Sequence, residues 1–260
     1  MQATATVNYH IISAEQQAFH IDAGGEEGKI ISPVLVPTEV AVRDARNDTS
    51  RVDFIRDSVS FIRRRSAIKD FDASNTWQAT YDRELKTLLA ERIGAQEVII
   101  FDHTVRVNDP DAARKPARNV HSDYSPEGAH RRLRDLVGDK EARTWETGHF
   151  GFVNVWRPVG NPITNAPLGF VRPRSVADKD WLTIKLIYPD RLGSILGLVA
   201  NAAHEWVYLS KMTPDEVAFF NIYDNRGKPS IAHSALDMAN DSSTHMPRKS
   251  IESRTLVRYS

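Results

Sequence analysis

HFGFVNVWRPV, residues 149–159, decides the fold, because it is rich in the β-branched and aromatic residues typical of strands. Similar runs follow to the end of the chain, separated by Pro, Gly and Asn-Arg-Gly stretches that indicate turns. They are PLGFVRPRS (167–175), WLTIKLIYP (181–189), SILGLVANAAHEWVYLS (194–210), EVAFFNIYDN (216–225), PSIAHSALDM (229–238) and RKSIESRTLVRY (248–259). From residue 149 onward the pattern therefore predicts an almost entirely β chain.

Before residue 149, strand-like runs at 4–12, 29–44, 52–62 and 95–107 alternate with only two helical stretches. These are NTWQATYDRELKTLLAERIG (75–94) and PEGAHRRLRDLVG (126–138), and each ends on a glycine. Many short strands with few helices predict a mainly β fold, a sandwich or barrel with flanking helices. The chain has no βαβ rhythm and no Gly-rich phosphate loop, so we expect no doubly wound nucleotide fold.

Composition narrows the function further. The 260 residues contain no cysteine, which excludes disulfides, zinc–thiolate sites, iron–sulfur clusters and a Cys nucleophile. Nine histidines remain, so a metal site would have to combine His with Asp or Glu. Lys plus Arg and Asp plus Glu both total 34, and this balance favours neither nucleic acid nor a membrane surface as a partner.

The N-terminal stretch MQATATVNYHIISAEQQ lacks the basic start and apolar segment of a signal peptide. No apolar run approaches the ~20 residues that a membrane span needs. We therefore expect a cytoplasmic protein that acts on a small molecule. The sequence leaves the oligomeric state open, and a homodimer is compatible with it.

The stretch VHSDYS (120–125) carries a His-x-Asp pair, His121 and Asp123. On a strand, residues i and i+2 point to the same face, so this spacing presents an imidazole and a carboxylate side by side. With one further histidine they would form the 2-His-1-carboxylate set that binds Fe(II) and leaves positions open. A hydrogen-bonded histidine followed by a turn aspartate is the simpler interpretation of the pair alone.

Two later histidines, His204 and His233, compete for the third position. His233 is followed by Arg248 and Ser250, which a strand would place on one face. Arg-x-Ser can bind the distal carboxylate of a dicarboxylic acid, with charge-assisted hydrogen bonds of about 1.5–3 kcal/mol each. His204 is followed only by Lys211 and, in a turn, by Arg226. We therefore favour His233, with His204 as the alternative.

At this point the sequence resembles the AsaB/CmcJ/NvfI-like family of non-heme iron oxygenases of secondary metabolism, which includes gibberellin-desaturase-like proteins. The resemblance covers about residues 5–259. It is carried by FDHTVR (101–106), RNVHSDYS (118–125), NVWRPVGNPITNAPLGF (154–170), HEWVYLSKMTPDEVAFFNIYDN (204–225), AHSALD (232–237) and PRKSIESRTLVRY (247–259). The family's "PHTAF-D-P" reads AHSALD here, with Leu236 for the aromatic residue and Met238 for the proline, so we expect an altered pocket near the metal.

The resemblance implies a double-stranded β-helix (jelly roll, cupin-like) that uses Fe(II), 2-oxoglutarate and O2. It implies that His121, Asp123 and His233 are the catalytic metal ligands and that Arg248 and Ser250 bind 2-oxoglutarate. It further implies one oxygenase domain over residues 1–260. In that domain, 1–110 would supply flanking strands and a helix, and 111–260 the jelly-roll core.

Several other residues are weaker candidates for the pocket. If Asn154 and Trp156 face the cavity, Asn154 could contact 2-oxoglutarate or a metal-bound water. Arg157, on the opposite face of the same strand, could bind an acidic substrate or form a structural ion pair. The remaining candidates for the walls and entrance are Tyr124, His204, Trp206, Tyr208, His103, Thr104 and Arg106.

The sequence thus predicts a 2-oxoglutarate-dependent dioxygenase that hydroxylates, desaturates or oxidatively cyclises a small molecule. Two alternatives stay open. One is an iron-dependent oxidase that does not use 2-oxoglutarate, and the other is a non-catalytic jelly-roll binding protein. The substrate is not identified by the sequence.

Overall fold

Strands dominate the computed structural model, which describes residues 2–21, 30–31, 33–47, 52–72, 74–239 and 246–260. In the described part the strands are β1 (Gln2–His10), β2 (Ala18–Ile21), β3 (Ile30–Ile31), β4 (Leu35–Asp44), β5 (Val59–Arg63), β6 (Glu97–Val107), β7 (His121–Ser122), β8 (Phe150–Pro158), β9 (Leu168–Val171), β10 (Trp181–Ile187), β11 (Leu192–Leu198), β12 (Trp206–Tyr208), β13 (Glu216–Asp224), β14 (Ala232–Ala235), β15 (Asp237–Met238) and β16 (Lys249–Arg258). The α-helices there are α1 (Phe54–Asp57), α2 (Gln78–Ile93) and α3 (Pro126–Thr147). The predicted mainly β class with flanking helices is confirmed.

Two sheets face each other. The minor sheet has five strands in the order β5-β13-β8-β16-β6, all antiparallel. The major sheet has eleven strands in the order β15-β1-β4-β12-β9-β14-β7-β11-β10-β2-β3. Both sheets combine strands from before and after residue 111, and the stretch 149–159 forms the central strand of the minor sheet.

Side chains alternate between two cores along β8, as strand geometry requires. Phe152 and Trp156 point into the inner core, which lies between the sheets and also contains Phe170 and Phe220. The rings of Phe170 and Phe220 meet across the sheets, with centroids 4.9 Å apart. Val153 and Val155 point the other way, into the helix-side core, where the minor sheet packs on Tyr81, Leu85, Leu88 and Leu89 of α2.

A third core lies on the opposite face of the major sheet, and we call it the outer core. Strands β1 and β4 of the same sheet enclose this core, because the sheet curls until β1 contacts the segment just before β7. Asn8 donates its backbone N–H to the carbonyl of Arg118 (3.3 Å), and Val120 donates its own to the carbonyl of Asn8 (2.9 Å). The outer core contains Val7, Val42, Val171, Trp206, Tyr208, Ala232 and Leu236.

Three predicted elements differ from the structure. The run 52–62 is not one strand, because Asp53 caps α1 by accepting from the N–H groups of Ile55 and Arg56, and β5 begins only at Val59. The run 194–210 is broken between β11 and β12. Helix α3 does not end at Gly138, which has φ +79° and ψ 158° and kinks the helix. Residues 29 and 32 of the predicted strand 29–44 lie outside the described residues.

Among the described residues, no helix has the length and apolar character needed to cross a lipid bilayer.

Helix α2 ends as predicted at Gly94, whose φ of +70° favours glycine. The helix begins at Gln78 and not at Asn75 as predicted, and Trp77 occupies the N-cap without a side-chain hydrogen bond.

Candidate metal centre

Strand pairing brings the His-x-Asp pair and the late histidine together. Strands β7 and β14 are antiparallel neighbours, and His233 lies directly opposite His121. One potential ligand atom from each of His121, Asp123 and His233 lies within 4.8 Å of the others. Within the described residues, this is the one group of three or more His, Asp or Glu side chains with such spacing.

The ligand atoms converge on one oxygen of the carboxylate. Asp123 Oδ1 lies 3.3 Å from His121 Nε2 and 3.8 Å from His233 Nε2. The two imidazole rings are 4.5 Å apart, and the His233 ring lies 5.0 Å from that of Phe220. The three side chains therefore border the inner core, between the two sheets.

Backbone carbonyls orient both imidazoles. His121 Nδ1 donates to the carbonyl of Asn119 at 2.8 Å, and His233 Nδ1 donates to the carbonyl of Ile231 at 3.4 Å. Because a carbonyl can only accept, each Nδ1 is the donor in these bonds, and each Nε2 is the ring nitrogen turned towards the cluster. Each partner carbonyl lies two residues before its histidine, so the local chain path sets the ring orientation.

The charge states of two of these groups suit a divalent cation. Burial alone would raise the pKa of Asp123, but the Arg254 guanidinium and the facing imidazoles hold that pKa well below its usual range. Burial, together with His121, lowers the pKa of His233 to about 3. At neutral pH the aspartate is therefore ionised and His233 is neutral, which are the forms that bind metal.

Two imidazole nitrogens and one carboxylate oxygen on the same side form the donor set of a facial triad. Such a set suits Fe(II) and leaves coordination positions open for other ligands. The convergence on Asp123 Oδ1 and the orientation of both Nε2 atoms fit a single ion. The residues present thus fit the iron that the sequence comparison with the family implied.

Arg248, which directly precedes β16, and Ser250 on β16 form a buried pair that carries one positive charge. Arg248 is 4% exposed, its Nη1 donates to the carbonyl of Ala166 at 2.7 Å, and its Nη2 donates to Ser250 Oγ at 3.0 Å. Its Nε has no hydrogen-bond partner among the described residues. The nearby Glu252 forms its ion pair with Arg254 instead.

Burial, together with the nearby Arg106 and Arg118, lowers the pKa of Arg248 to about 9. A buried guanidinium without a paired acid is costly, and an incoming carboxylate would relieve that cost. The guanidinium also lies 5.2 Å from the centroid of the Trp156 ring, which borders the inner core. The pair therefore fits the distal carboxylate of 2-oxoglutarate.

Three of the weaker candidates border the same interior. Asn154 Nδ2 donates to Asp123 Oδ2 at 2.8 Å, so its contact is with the carboxylate of the cluster. Trp156 packs in the inner core and carries Arg248 on its ring. Tyr124 follows Asp123 and packs on Phe152 with ring centroids 4.8 Å apart, and burial raises its pKa to about 12.

Other candidates lie elsewhere. Arg157 points to the helix side of the minor sheet, where its Nη1 donates to the carbonyl of Pro214 and its guanidinium lies 5.6 Å from the Tyr81 ring centroid. His103 is on the same side, bound to Asp82 and Ser253. We therefore leave Arg157 and His103 out of the proposed pocket.

The alternating side chains of His204, just before β12, and of Trp206 and Tyr208 on it, which we call the β12 stripe, face the outer core. His204 Nδ1 pairs with the Tyr9 hydroxyl at 2.9 Å, and its Nε2 lies 3.3 Å from Asp180 Oδ2. Tyr208 packs in the outer core beside Trp206. Leu236 also packs there, against Gly169, so its replacement of an aromatic residue changes the outer core and not the space beside the imidazoles.

Two residues near the cluster had escaped the sequence analysis. Arg254 Nε donates to Asp123 Oδ2 at 2.9 Å, and the signal for it was its place in the alternating series Arg248, Ser250, Glu252 and Arg254. His10 is 1% exposed and neither ring nitrogen has a hydrogen-bond partner. Burial, together with His121, lowers the pKa of His10 to about 4. No sequence pattern indicated His10, because its position depends on pairing between distant strands.

Comparison with known proteins gives the same family as the site. The family model for an oxidoreductase/YMDC permease-like domain matches residues 8–258. The hydroxylase/desaturase efuI of Hormonema carpetanum is 32% identical over 248 residues, which cover 84% of this chain and 82% of that protein. The Fe(II)/2-oxoglutarate-dependent dioxygenase nvfI of Aspergillus novofumigatus is 28% identical over 236 residues, with 85% of this chain and 83% of that protein covered.

Solved structures agree on the fold. The structure of the iron and alpha-ketoglutarate-dependent endoperoxidase NvfI superposes with a TM-score of 0.85 at 22% identity and covers 99% of this chain and 98% of that one. The predicted jelly-roll fold is thereby confirmed. Because the match to the family model spans nearly the whole chain, the chain belongs to this oxidoreductase family, the AsaB/CmcJ/NvfI-like non-heme Fe(II)/2-oxoglutarate-dependent oxygenases.

Proposed function

We propose that this chain is a 2-oxoglutarate-dependent dioxygenase of secondary metabolism that oxidises a small molecule by hydroxylation, desaturation or oxidative ring closure. The observation that carries the proposal is the convergence of the Nε2 atoms of His121 and His233 on Asp123 Oδ1 beside the inner core. Hydroxylases, desaturases and an endoperoxidase among its relatives support oxidation of a C–H-rich organic substrate.

His121, Asp123 and His233 would hold the iron on one side. When bound, iron and 2-oxoglutarate supply oxygen activation that is coupled to loss of CO2 from the keto acid. The protein's part is to fix three ligands and keep the remaining positions accessible from the interior. Phe220 packs beside His233 and excludes water from that side.

Arg248 and Ser250 would bind the distal carboxylate of 2-oxoglutarate. The unpartnered Nε of Arg248 can donate one charge-assisted bond without loss of its bonds to Ala166 and Ser250. Trp156 would cover the guanidinium and keep water from it. The contact with Arg248 would orient the keto acid, because its distal carboxylate would have a buried cationic partner.

The substrate would approach along β6, the edge strand of the minor sheet. Asp102 and Thr104 on that strand contact Arg254, which in turn contacts Asp123, so this edge of the sheet lies near the cluster. We propose Tyr124 as one wall, because it follows Asp123 directly and packs in the inner core. We further propose a cytoplasmic enzyme. Its charges balance at 34 of each sign, which favours neither nucleic acid nor a membrane surface as a partner.

The test uses the full chain, Fe(II) and 2-oxoglutarate. We expect one equivalent of metal to bind under anaerobic conditions, and 2-oxoglutarate to raise the melting temperature only when metal is present. On exposure to O2, the iron-loaded protein should form succinate slowly even without substrate, and Asp123→Ala should abolish both metal binding and succinate.

The outcomes separate the alternatives. Full iron binding and turnover by Asp123→Ala would contradict the ligand assignment. Metal binding without any effect of 2-oxoglutarate would favour an oxidase that takes its electrons from substrate. A protein that binds neither metal nor keto acid would be a non-catalytic jelly roll, and the proposal would fail.

A further inference from the structure

The two oxygens of Asp123 have different surroundings. Oδ1 faces the Nε2 atoms of His121 and His233 at 3.3 and 3.8 Å. Oδ2 accepts two N–H groups, from Asn154 Nδ2 at 2.8 Å and from Arg254 Nε at 2.9 Å. One oxygen is thus directed to the cluster, and the lone pairs of the other are occupied by the protein.

We propose that Asn154 and Arg254 are positioning residues that hold Asp123 as a one-oxygen ligand to the metal. This inference rests on the proposed function. A carboxylate can bind a cation through one or both oxygens, and binding through both would use a position that the keto acid or oxygen needs. Here a guanidinium and an amide occupy Oδ2. Binding of the metal through both oxygens would require the carboxylate to rotate and would break these two hydrogen bonds, one of them charge-assisted.

The register of the minor sheet builds this device. Arg254 on β16 lies directly opposite Asn154 on β8 and Asp102 on β6, so the three side chains form one row across three neighbouring strands. Adjacent strands are about 5 Å apart, so neighbours in the row can contact one another. Asn154 and Arg254 also reach the carboxylate of Asp123, which follows β7 of the facing sheet. Asn154 is 1% exposed and cannot exchange its partner for water.

Arg254 is itself fixed by further carboxylates. Its Nη1 lies 2.5 Å from Asp102 Oδ2, and its Nη2 lies 2.8 Å from Glu252 Oε1. With Nε on Asp123, all three nitrogens of the guanidinium are engaged, and its planar fork allows little freedom. Lysine at this position would keep the charge but could not satisfy three carboxylates at these separate directions.

The test measures Co(II) binding to the metal-free full chain by calorimetry, then 2-oxoglutarate binding to the Co(II)-loaded protein. The variants are Asn154→Ala and Arg254→Lys. Loss of partners of this kind lowers metal affinity about 10- to 100-fold. We expect that loss in both variants, together with weaker 2-oxoglutarate binding at saturating Co(II), because the freed Oδ2 competes for a position.

Two matched controls separate positioning from general loss of structure. Asn221→Ala removes another buried amide, one that donates to the carbonyls of Lys228 and Pro229 and not to Asp123. Arg258→Lys changes another arginine of β16, one that pairs with Glu97. Both controls should bind Co(II) and 2-oxoglutarate as the unaltered protein does.

Each outcome decides one question. If Asn154→Ala and Arg254→Lys bind Co(II) as tightly as the unaltered protein, the positioning role is wrong and the proposed function stands. If the controls lose as much affinity as the variants, the loss follows general destabilisation and the role is again wrong. If the unaltered protein binds no Co(II), the proposed function itself fails. Should Arg254→Lys not fold, Asn154→Ala alone decides.

Discussion

Replacement of Arg248 by methionine should weaken 2-oxoglutarate binding by an amount that the structure bounds. Nη1 and Nη2 each use one N–H on the Ala166 carbonyl and Ser250 Oγ, so three of the five N–H groups, including that of the unpartnered Nε, remain for a guest carboxylate, and the loss of a single bond is the lower bound. One hydrogen bond to a charged group contributes about 1.5–3 kcal/mol, which corresponds to a factor of about 10–150 in the dissociation constant. Calorimetric titration of 2-oxoglutarate into the Co(II)-loaded protein without O2 measures this dissociation constant.

The same substitution should leave stability nearly unchanged. The buried guanidinium has no ion pair of its own, since Glu252 pairs with Arg254, and removal of an unpaired buried charge offsets the two lost hydrogen bonds. We expect the metal-free variant to unfold at the same urea concentration as the unaltered protein.

Arg157→Met is the matched control, because it removes a buried arginine from the opposite face of the minor sheet. It should bind 2-oxoglutarate normally. Unchanged affinity in Arg248→Met, or an equal loss in Arg157→Met, would refute the assignment of Arg248 to the keto acid.

Three further predictions concern the metal ligand choice and the packing. His233→Ala should lose Co(II) binding while His204→Ala keeps it, as measured by calorimetry, and the reverse result would exchange the two assignments. Gly197→Ala should lower the free energy of unfolding by about 1–3 kcal/mol in urea titrations, because its Cβ would lie 2.6 Å from the His10 ring; an unchanged midpoint would show that the ring moves freely. Asp57→Ala should cost about 1–3 kcal/mol, since it removes a buried carboxylate that pairs with Arg56 at 2.9 Å and accepts from the backbone N–H of Asp53 at 3.0 Å, and a loss below about 0.5 kcal/mol would contradict a stabilising role for these contacts.

The alternation of side chains on β8 could be predicted from the sequence, but not which face is internal. Asn154 and Trp156 share one face and Arg157 the other, as the two-residue period requires. Which face looks at the facing sheet depends on α2, which covers the Arg157 side through Tyr81. That packing joins residues far apart in the chain, and no local pattern reports it.

The β12 stripe shows the same limit. Its alternation is regular, yet His204 and Tyr208 face the outer core, which β1 and β4 enclose. If a single core is assumed, an aromatic stripe is predicted to face that core. The described residues form three cores, and Trp206 and Tyr208 pack in the outer one.

The kink at Gly138 and the role of Arg254 also lay beyond the sequence. Glycine with positive φ ends many helices, but here the chain resumes helical geometry to Thr147. Arg254 belongs to an alternating series that could be read from the sequence. Its contact with Asp123, however, spans 131 positions and depends on the register between β16, β8 and β6.

An anomalous-difference map from a crystal grown with Fe(II) and 2-oxoglutarate without O2 tests the central claim most directly. We predict a single iron peak within about 2.0–2.2 Å of His121 Nε2, Asp123 Oδ1 and His233 Nε2, the metal–ligand distances typical of such donors. A peak bound elsewhere, or no peak between these three atoms in a crystal that contains the metal, would contradict it.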